Sequence, residues 1–293
     1  MFCSSTRDAV QAFQRHRGLH DHGTCDEATW LAIVESTWQL GDRPLRLIAP
    51  HQRGDDVGQL QAGLGRLGFD CGRVDGIFGP ATARALEDFQ RNCGLDVDGV
   101  CGQATVRSLV VNASRTGSGP GVAALRELQQ LSAVGTSLHD LRVVVGQFGG
   151  FGTLARHVVR RLRHDGARVI TADELDPSLH AAAANRYAAT VYVGFEPRAE
   201  HVATISYYAT AGFESVGGRA LAERLATTFA ATGTLPPAQA SGMRLPVLRE
   251  TRMTAIVCSI GPVQRIVDAA PVVSDAVVTS LAGWAASPLP TPA

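Results

Sequence analysis

Nine histidines give this chain its most evident means of binding a metal or moving a proton. His20 and His22 stand two residues apart, which is the spacing of ligands on a strand. His157 and His164 stand two helical turns apart in an Arg-rich segment. The first pair lies in a loop of the first module, and ordinary surface histidines are the better interpretation of both pairs.

One carboxylate and two nucleophilic side chains complete the set of candidate reactive groups. Glu196 and His201 could form a weak acid–base pair, although no nucleophile is evident beside them. Ser259 lacks the G-x-S-x-G context of an activated serine. Cys258 lies in an apolar run that is typical of a strand, where a buried and inert thiol is expected. None of these groups by itself predicts a catalytic centre.

The glycine-rich segment 146–152 reads GQFGGFG and follows a run of valines. A loop of this composition after a strand can hold a phosphate group. A single pattern of this kind is only a weak indication of nucleotide binding.

Composition limits the class of protein. Hydrophobic residues make up 45% of the 293 residues, enough for packed cores, and the length suggests about two domains. Lys and Arg number 27, as do Asp and Glu, so no overall basic character predicts nucleic-acid binding. No apolar run approaches the roughly 18 residues of a membrane helix. Six cysteines without a C-x-x-C pair and a start without an apolar leader predict free thiols and a cytoplasmic location.

The first third of the chain contains an internal repeat. When Phe13 is placed over Phe89, residues 9–33 align with residues 85–109 at a constant offset of 76 without a gap. Identical residues recur at Ala9, Phe13, Gln14, Arg15, Gly18, Leu19, Gly23, Cys25, Ala28 and Thr29. The repeat predicts two copies of one small module.

The second copy is complete and predicts a small helical module. Helical spacing of apolar residues begins at Val57, and two Asp-Gly turns separate the helices. The apolar residues Val74, Phe78, Leu86 and Phe89 are expected to fill its core. The pattern G-x-V-D-G-x-F-G-x-x-T, followed by F-Q, G-L, D-G and G-x-x-T, resembles the peptidoglycan-binding domain found beside many cell-wall hydrolases.

The signature positions of that domain identify the module more than its contact surface. They are Asp75, Gly76, Phe78, Gly79, Thr82, Asp98, Gly99, Gly102 and Thr105. We interpret most of them as fold-forming, and the ligand-binding residues stay open.

Four segments follow from these patterns: a truncated module at 1–38, a complete module at 52–110, a linker with a short helix at 111–137, and an α/β domain at 138–287. The first copy is truncated because Phe2 aligns with Phe78, so its first helix would precede Met1. We therefore expect either an upstream in-frame extension or a poorly ordered first module.

Strand-like and helix-like segments alternate in the last part of the chain, which predicts an α/β domain with a mainly parallel sheet. Strands are expected at 141–146, 167–171, 190–194, 201–208 and 253–261. Helices are expected at 151–165, 178–189 and 216–232 and within 262–285.

The same region resembles the zinc-dependent N-acetylmuramoyl-L-alanine amidases of type 3. VVVGQFGG stands where that family has a strand ending in D-P-G-H-G-G. The segment 245–261, LPVLRETRMTAIVCSIG, follows the family's L-x-V-L-R-x-T-x-M-P-A pattern and is the most specific match. The resemblance implies a Zn²⁺ ion held by His, Glu and His, with a further Glu as general base.

The functional positions of that family are changed in this sequence. Phe148 stands at the first His position, and no Glu occurs between Gly146 and Asp173 for the second ligand. Glu196 replaces the second His, and Ser259 replaces the catalytic Glu. We therefore expect that zinc is lost, that the chain has no cofactor and that it is a pseudoenzyme.

Peptidoglycan-binding modules followed by an amidase-like domain are similar to a group of cytoplasmic actinobacterial regulators of peptidoglycan-precursor synthesis. We expect a non-catalytic protein that acts through protein contacts. Its expected partners are peptidoglycan fragments or precursors and a cell-wall synthesis enzyme, with no nucleic acid and no membrane span. Two alternatives stay open: a divergent zinc amidase that hydrolyses the muramoyl–peptide amide, and a passive glycan-binding structural protein.

Overall fold

The computed structural model describes residues 3–113 and 121–289. It divides into two compact units. One comprises the chain up to Arg126 together with Thr210–Phe213, and the other comprises the chain from Glu127 onward without that segment. The first is helical and the second is an α/β unit, so the predicted fold class is confirmed.

Five helices form most of the helical unit: α1 (Ser4–His16), α2 (Glu27–Glu35), α3 (Asp55–Arg66), α4 (Pro80–Asn92) and α5 (Gln103–Ala113). Local chemistry sets their starts. The Asp26 side chain accepts a hydrogen bond from the backbone N–H of Thr29 and caps α2, and Pro80 stands in the first turn of α4.

The complete module has the core that the sequence predicts. Phe78, Leu86 and Phe89 are buried together with apolar residues of α3, and Val74 is also buried. Helix α5 continues to Ala113 and so includes the first three residues of the linker that was predicted to begin at 111. Residues 114–120 of that linker lie outside the described residues, and the short helix expected after it is α6 (Val122–Ser132).

The α/β unit contains a seven-stranded mixed sheet in the order β2-β1-β3-β7-β4-β5, with β6 paired to β4. Its strands are β1 (Arg142–Gln147), β2 (Arg168–Ala172), β3 (Val191–Pro197), β4 (Ala203–Thr210), β5 (Phe213–Glu214), β6 (Ala238–Met243) and β7 (Thr254–Ile260). Its helices after α6 are the 3₁₀ turn Leu138–Asp140, α7 (Gly152–His164), α8 (Pro177–Arg186), α9 (Val216–Thr232), α10 (Pro246–Glu250), α11 (Val263–Asp268) and α12 (Ala270–Ala286). Strands β2, β1, β3 and β7 are parallel, and β4 runs antiparallel to β7.

Helices cover both faces of this sheet. Apolar residues of α7, α9 and α12 share one large core with Val143, Val145 and Val193. Because neighbouring residues of a strand point to opposite faces, Tyr192 lies on the other side, where it meets His180 of α8. Burial on both faces accounts for the continuous apolar runs in β1, β3 and β7.

Strand β6 was not predicted from the sequence. Its residues AQASGM carry few of the β-branched and aromatic side chains that favour strands. It forms through its parallel pairing with β4. None of the helices that the structure describes combines the length and the apolar character that a membrane crossing requires.

Candidate functional site

The complete module is built around a buried glutamine that organises its first Asp-Gly turn. The side-chain oxygen of Gln61 accepts hydrogen bonds from the backbone N–H groups of Asp75 (3.1 Å) and Gly76 (2.8 Å). Its amide nitrogen donates to Asp75 Oδ1 at 2.8 Å and to Thr82 Oγ1 at 3.1 Å. Gln61 is 1% exposed, so these bonds form away from water.

The second turn of the same module repeats this arrangement with Gln90. Its amide nitrogen donates to Asp98 Oδ1 (2.7 Å) and contacts Thr105 Oγ1 (3.4 Å), and its oxygen accepts from the Gly99 N–H (3.0 Å). The N–H groups of Val100 and the Gln90 amide hold the pKa of the Asp98 carboxyl below its ordinary value. Gly76 and Gly99 both have positive φ, which favours glycine.

The first copy forms the turn a third time, with a histidine in place of the aspartate. The oxygen of Gln14 accepts from the Gly23 N–H at 2.8 Å, and its nitrogen donates to Thr29 Oγ1 at 2.9 Å. His22 Nδ1 accepts from the Thr24 N–H at 3.1 Å, as Asp98 accepts from Val100. His22 therefore has a turn-forming contact of its own.

These networks explain why the signature residues recur at fixed spacing. Asp75, Gly76, Asp98 and Gly99 shape turns, Thr82 and Thr105 bond to buried glutamines, and Phe78 is fully buried. Gly79 and Gly102 directly precede α4 and α5.

In the α/β unit, a polar centre forms where β3 and β7 end. Glu196 and Ser259 are paired in register on these neighbouring parallel strands. Ser259 Oγ donates a hydrogen bond of 2.5 Å to Glu196 Oε2, and Arg198 Nη2 lies 3.3 Å from the same oxygen. Ser259 is 2% exposed, whereas the side chains of Glu196 and Arg198 are 27% and 24% exposed. We call these three residues the polar centre.

The place of the polar centre is typical of a functional site. The carboxyl ends of parallel strands are where open α/β sheets bind their ligands. Sequence reasoning had singled out Glu196 and Ser259, but it paired Glu196 with His201 and did not assign a role to Arg198. His201 is exposed on the connection between β3 and β4.

Phe148 lies in an aromatic and imidazole cluster at the end of β1. Its ring stacks on His180 with centroids 4.4 Å apart and an interplanar angle of 15°. His180 bonds through Nδ1 to the Tyr192 hydroxyl (2.7 Å) and through Nε2 to the Glu174 carbonyl (2.7 Å). Burial lowers the pKa of His180 and raises that of Tyr192. A neutral imidazole with Nε2–H donating and Nδ1 accepting satisfies both bonds.

The glycine-rich segment owes its composition to this cluster and to its turns. A Cβ on Gly146 would meet the Tyr192 hydroxyl and lie 2.6 Å from His180 Nδ1. Gly149 and Gly150 have positive φ. These steric and backbone requirements account for the glycines, so a phosphate-binding role is not needed to explain them.

Cys258 shows the burial expected of an inert thiol. It lies in the middle of β7, fully buried, and this burial raises the pKa of its thiol to about 12. A thiol with such a pKa carries almost no nucleophilic thiolate near neutral pH.

Comparison with known proteins agrees with the resemblance of the helical region. The model of the family described as "Putative peptidoglycan binding domain" matches residues 1–33 and 53–109. The spore cortex-lytic enzyme of Oceanobacillus iheyensis is 49% identical over 57 residues, covering 20% of this chain and 21% of that protein.

The second set of relatives concerns peptidoglycan amidases. N-acetylmuramoyl-L-alanine amidase CwlM of Mycobacterium tuberculosis is 44% identical over 147 residues, which is 50% of this chain and 36% of CwlM. About half of the chain is thus similar in sequence to a protein named as an N-acetylmuramoyl-L-alanine amidase. Amidase CwlL of Bacillus licheniformis is 29% identical over 126 residues, covering 36% of this chain and 35% of CwlL. The chain spans little more than a third of the length of either amidase.

Among solved structures, amidase AmiC2 of Nostoc punctiforme aligns with a TM-score of 0.39 and 18% identity. The alignment covers 48% of this chain and 96% of AmiC2.

These comparisons correct one expectation from the sequence. The prediction that the chain is not an enzyme is wrong, because its relatives CwlM and CwlL are both named N-acetylmuramoyl-L-alanine amidases, which points to an enzyme. Alignment of a position with a catalytic or zinc-binding residue of the family does not establish which chemistry the side chain present in this chain performs.

The side chains at the family's zinc positions do not fit a zinc ion. Phe148 has no donor atom and stacks on His180, and Glu196 is bonded to Ser259 and Arg198. Within residues 3–113 and 121–289, no group of three or more His, Cys, Asp or Glu side chains is placed to hold a metal.

Proposed function

We propose that this chain acts in peptidoglycan metabolism and that its helical modules bind peptidoglycan fragments or precursors. The observation that carries the proposal is the family match over 1–33 and 53–109, together with the three glutamine-organised turns in those segments. Such turns fix the backbone before a ligand arrives, which reduces the entropy lost on binding.

A binding experiment with three ligands tests this role. The full chain is titrated with a disaccharide–peptide fragment, with the disaccharide alone and with the stem peptide alone, and amide NMR shifts are mapped. We expect saturable shifts confined to residues 3–113 with the complete fragment. Salt-sensitive binding of duplex DNA without any response to the fragment would contradict the proposal.

The proposal includes a protein partner among the enzymes of cell-wall synthesis and a cytoplasmic location. Both rest on the resemblance to cytoplasmic regulators of precursor synthesis. Cross-linking in cells followed by fractionation tests both at once. We expect cross-links to a precursor-pathway enzyme in the cytoplasmic fraction, and cross-links solely to wall-anchored proteins would refute this part.

A second candidate function is hydrolysis of the amide between N-acetylmuramic acid and L-alanine. The names of CwlM and CwlL favour it, together with the polar centre at the carboxyl ends of β3 and β7. In this scheme the hydrogen bond from Ser259 holds the Glu196 carboxylate in place, and Glu196 takes a proton from a water whose oxygen bonds to the amide carbonyl carbon. Glu196 then gives that proton to the L-alanine nitrogen as the carbon–nitrogen bond breaks. Arg198 donates to the oxygen on which negative charge develops.

The release of free L-alanine amino groups from purified peptidoglycan tests this second candidate. Glu196→Gln keeps the size of the side chain but removes the base, and we expect it to abolish turnover. Glu200→Gln, an exposed residue on the following turn, is the matched control and should retain the wild-type rate. Equal turnover in both variants would rule out the polar centre as the catalytic site.

We also propose that no zinc is bound at the family positions. Elemental analysis of the purified full chain should find much less than one zinc per molecule, and a chelator should leave amide hydrolysis unchanged. Stoichiometric zinc that is released by Glu196→Gln would refute this.

A further inference from the structure

We propose that the exposed face of α7 is an electrostatic docking surface for anionic membrane lipids. This helix buries Leu154, Val158 and Leu162 in the core of the α/β unit. Its exposed side carries four arginines and two histidines and no carboxylate: Arg156, His157, Arg160, Arg161, Arg163 and His164. We call these six residues the basic row.

The spacing within the basic row opposes helix stability. Arg156 and Arg160 stand four residues apart, and Arg163 stands three residues beyond Arg160, so like charges face each other along the helix surface. Such pairs destabilise a helix. An anionic partner that lies along the row would turn this repulsion into attraction.

Three of these arginines contact groups other than carboxylates. Arg156 donates to Thr153 Oγ1 (2.9 Å), Arg160 Nη2 lies 3.0 Å from His157 Nδ1, and Arg163 donates to the Val169 carbonyl (2.9 Å).

Among the residues that the structure describes, only one arginine of the basic row lies within ion-pair distance of a carboxylate. Arg161 lies 3.3 Å from Asp165 and 3.8 Å from Asp275. The positive charges of Arg156, Arg160 and Arg163 are therefore not offset by an ion pair among residues 3–113 and 121–289.

Further arginines extend the basic row at the carboxyl end of α7. The bond from Arg163 to Val169 ties this end of the helix to β2, which begins at the exposed Arg168. Arg168 is paired in register with the exposed Arg142 of β1. The neighbouring strand starts thus add two cations beside the end of the row.

The form of the row favours a lipid surface over other anions. Its charges follow one helix of 13 residues, a length of about 20 Å. Four or more Lys or Arg on one amphipathic helix are typical of binding to anionic lipids. A site for single-stranded nucleic acid adds aromatic stacking groups, whereas the exposed face of α7 has none. The apolar side of α7 is committed to the core, so the contact is electrostatic and does not involve insertion.

Sedimentation of the full chain with vesicles tests the proposal. We expect binding to vesicles of phosphatidylglycerol and phosphatidylcholine, loss of this binding as salt rises from about 50 mM to about 500 mM, and no binding to pure phosphatidylcholine. Replacing Arg156, Arg160 and Arg163 together by Gln should weaken the partition coefficient by about 100-fold, or about 2.7 kcal/mol.

Two matched variants separate this surface from general charge effects. Replacing Arg66, Arg84 and Arg107, exposed on α3, α4 and α5, by Gln removes the same charge and should leave binding unchanged. The triple Arg→Lys variant of the basic row keeps its charge and should retain binding near the wild-type level. Circular dichroism checks that each variant is folded.

Three outcomes would overturn the proposal. These are equal binding of the Gln variant and the wild type, salt-insensitive binding to neutral vesicles, and binding of duplex DNA through the basic row without binding of anionic vesicles. If the Gln variant does not fold, loss of binding in the folded Lys variant, or wild-type binding that is unaffected by salt, overturns it as well.

Discussion

Three buried glutamines connect the turns of the helical unit to its helices through side-chain hydrogen bonds. Gln14, Gln61 and Gln90 are each 1% exposed or less, and each bonds to the backbone of a turn and to the threonine of the next helix. A buried amide is tolerated because its donors and its acceptor are satisfied. In return it ties the turn to the helices on either side of it.

Removing one of these glutamines should therefore cost far more than removing an exposed one. Gln61→Ala removes the acceptor for the N–H groups of Asp75 and Gly76 and the donor to the Thr82 hydroxyl, and we expect a loss of about 3 kcal/mol in the free energy of unfolding. Denaturant unfolding, monitored by a signal from the helical unit, measures this loss. The exposed Gln39→Ala should change stability by less than about 0.5 kcal/mol. Similar losses for the two variants would show that the network is not stabilising.

Glycine 146 makes room for the buried His180–Tyr192 pair. In Gly146→Ala the new methyl group would collide with the Tyr192 hydroxyl and crowd His180, so we expect a loss of about 1–3 kcal/mol. Adding Tyr192→Phe to the same chain removes the colliding oxygen. A double-mutant cycle by thermal unfolding should show that the pair of changes costs less than the sum of the two. Strict additivity would mean that the collision is relieved in some other way.

At the scale of elements, the helical unit repeats a smaller piece than the module. The unit of repetition is a helix with a buried glutamine, a glycine turn and the first turn of the next helix. It occurs three times, around Gln14, Gln61 and Gln90. The sequence showed the match between the first and third because their spacing is identical. The occurrence around Gln61 is not evident in the sequence, because Gln61 precedes its turn aspartate by 14 residues whereas Gln90 precedes its own by only 8.

The first copy uses histidine where the others use aspartate, which predicts how position 98 tolerates change. Asp98→His should keep an acceptor for the Val100 N–H, as His22 does for Thr24, whereas Asp98→Leu offers none. We expect the Leu variant to be about 1 kcal/mol less stable than the His variant. In the wild type, the folded state lowers the pKa of Asp98. The Asp98 carboxylate therefore contributes to the free energy of unfolding above the ordinary aspartate pKa, and this contribution is lost as the pH falls below that pKa. Urea unfolding at pH 7 and at acid pH measures both effects. Equal stability of the two variants at pH 7 would contradict the transfer from the first copy.

Burial on both faces made most of the α/β elements predictable. The valine-rich runs of β1 and β3 and the long helix α9 lie where the pattern placed them, and the residues of α9 agree at both ends. Edge strand β6 could not be found, because its sequence lacks an apolar pattern and its pairing with β4 is a tertiary effect. The polar centre was predictable in part. The alignment marked Glu196 and Ser259, but only the register of β3 and β7 shows that they share a hydrogen bond.

On the scale of the whole molecule, each of the two units has a hydrophobic core of its own, which implies two separate stabilities. One core joins apolar residues of α3 and α4 with Leu45, Cys101 and Leu109, and the other joins α7, α9 and α12 with the sheet. A domain with its own core unfolds as its own cooperative unit. A single unfolding temperature would then be an incomplete description of this chain.

The residue changes argued above provide the test of this independence. Gln61→Ala should lower hydrogen-exchange protection in α3, α4 and α5 while leaving β1, β3 and β7 at their wild-type rates. Gly146→Ala should do the reverse, because its collision with Tyr192 and His180 lies within the α/β unit. Hydrogen exchange followed by mass spectrometry resolves the two sets of peptides in one sample, so each variant contains its own internal control. A parallel fall in protection across both units in either variant would show that they unfold together. In that case a stability change in the helical modules would also alter the population of molecules with an intact polar centre.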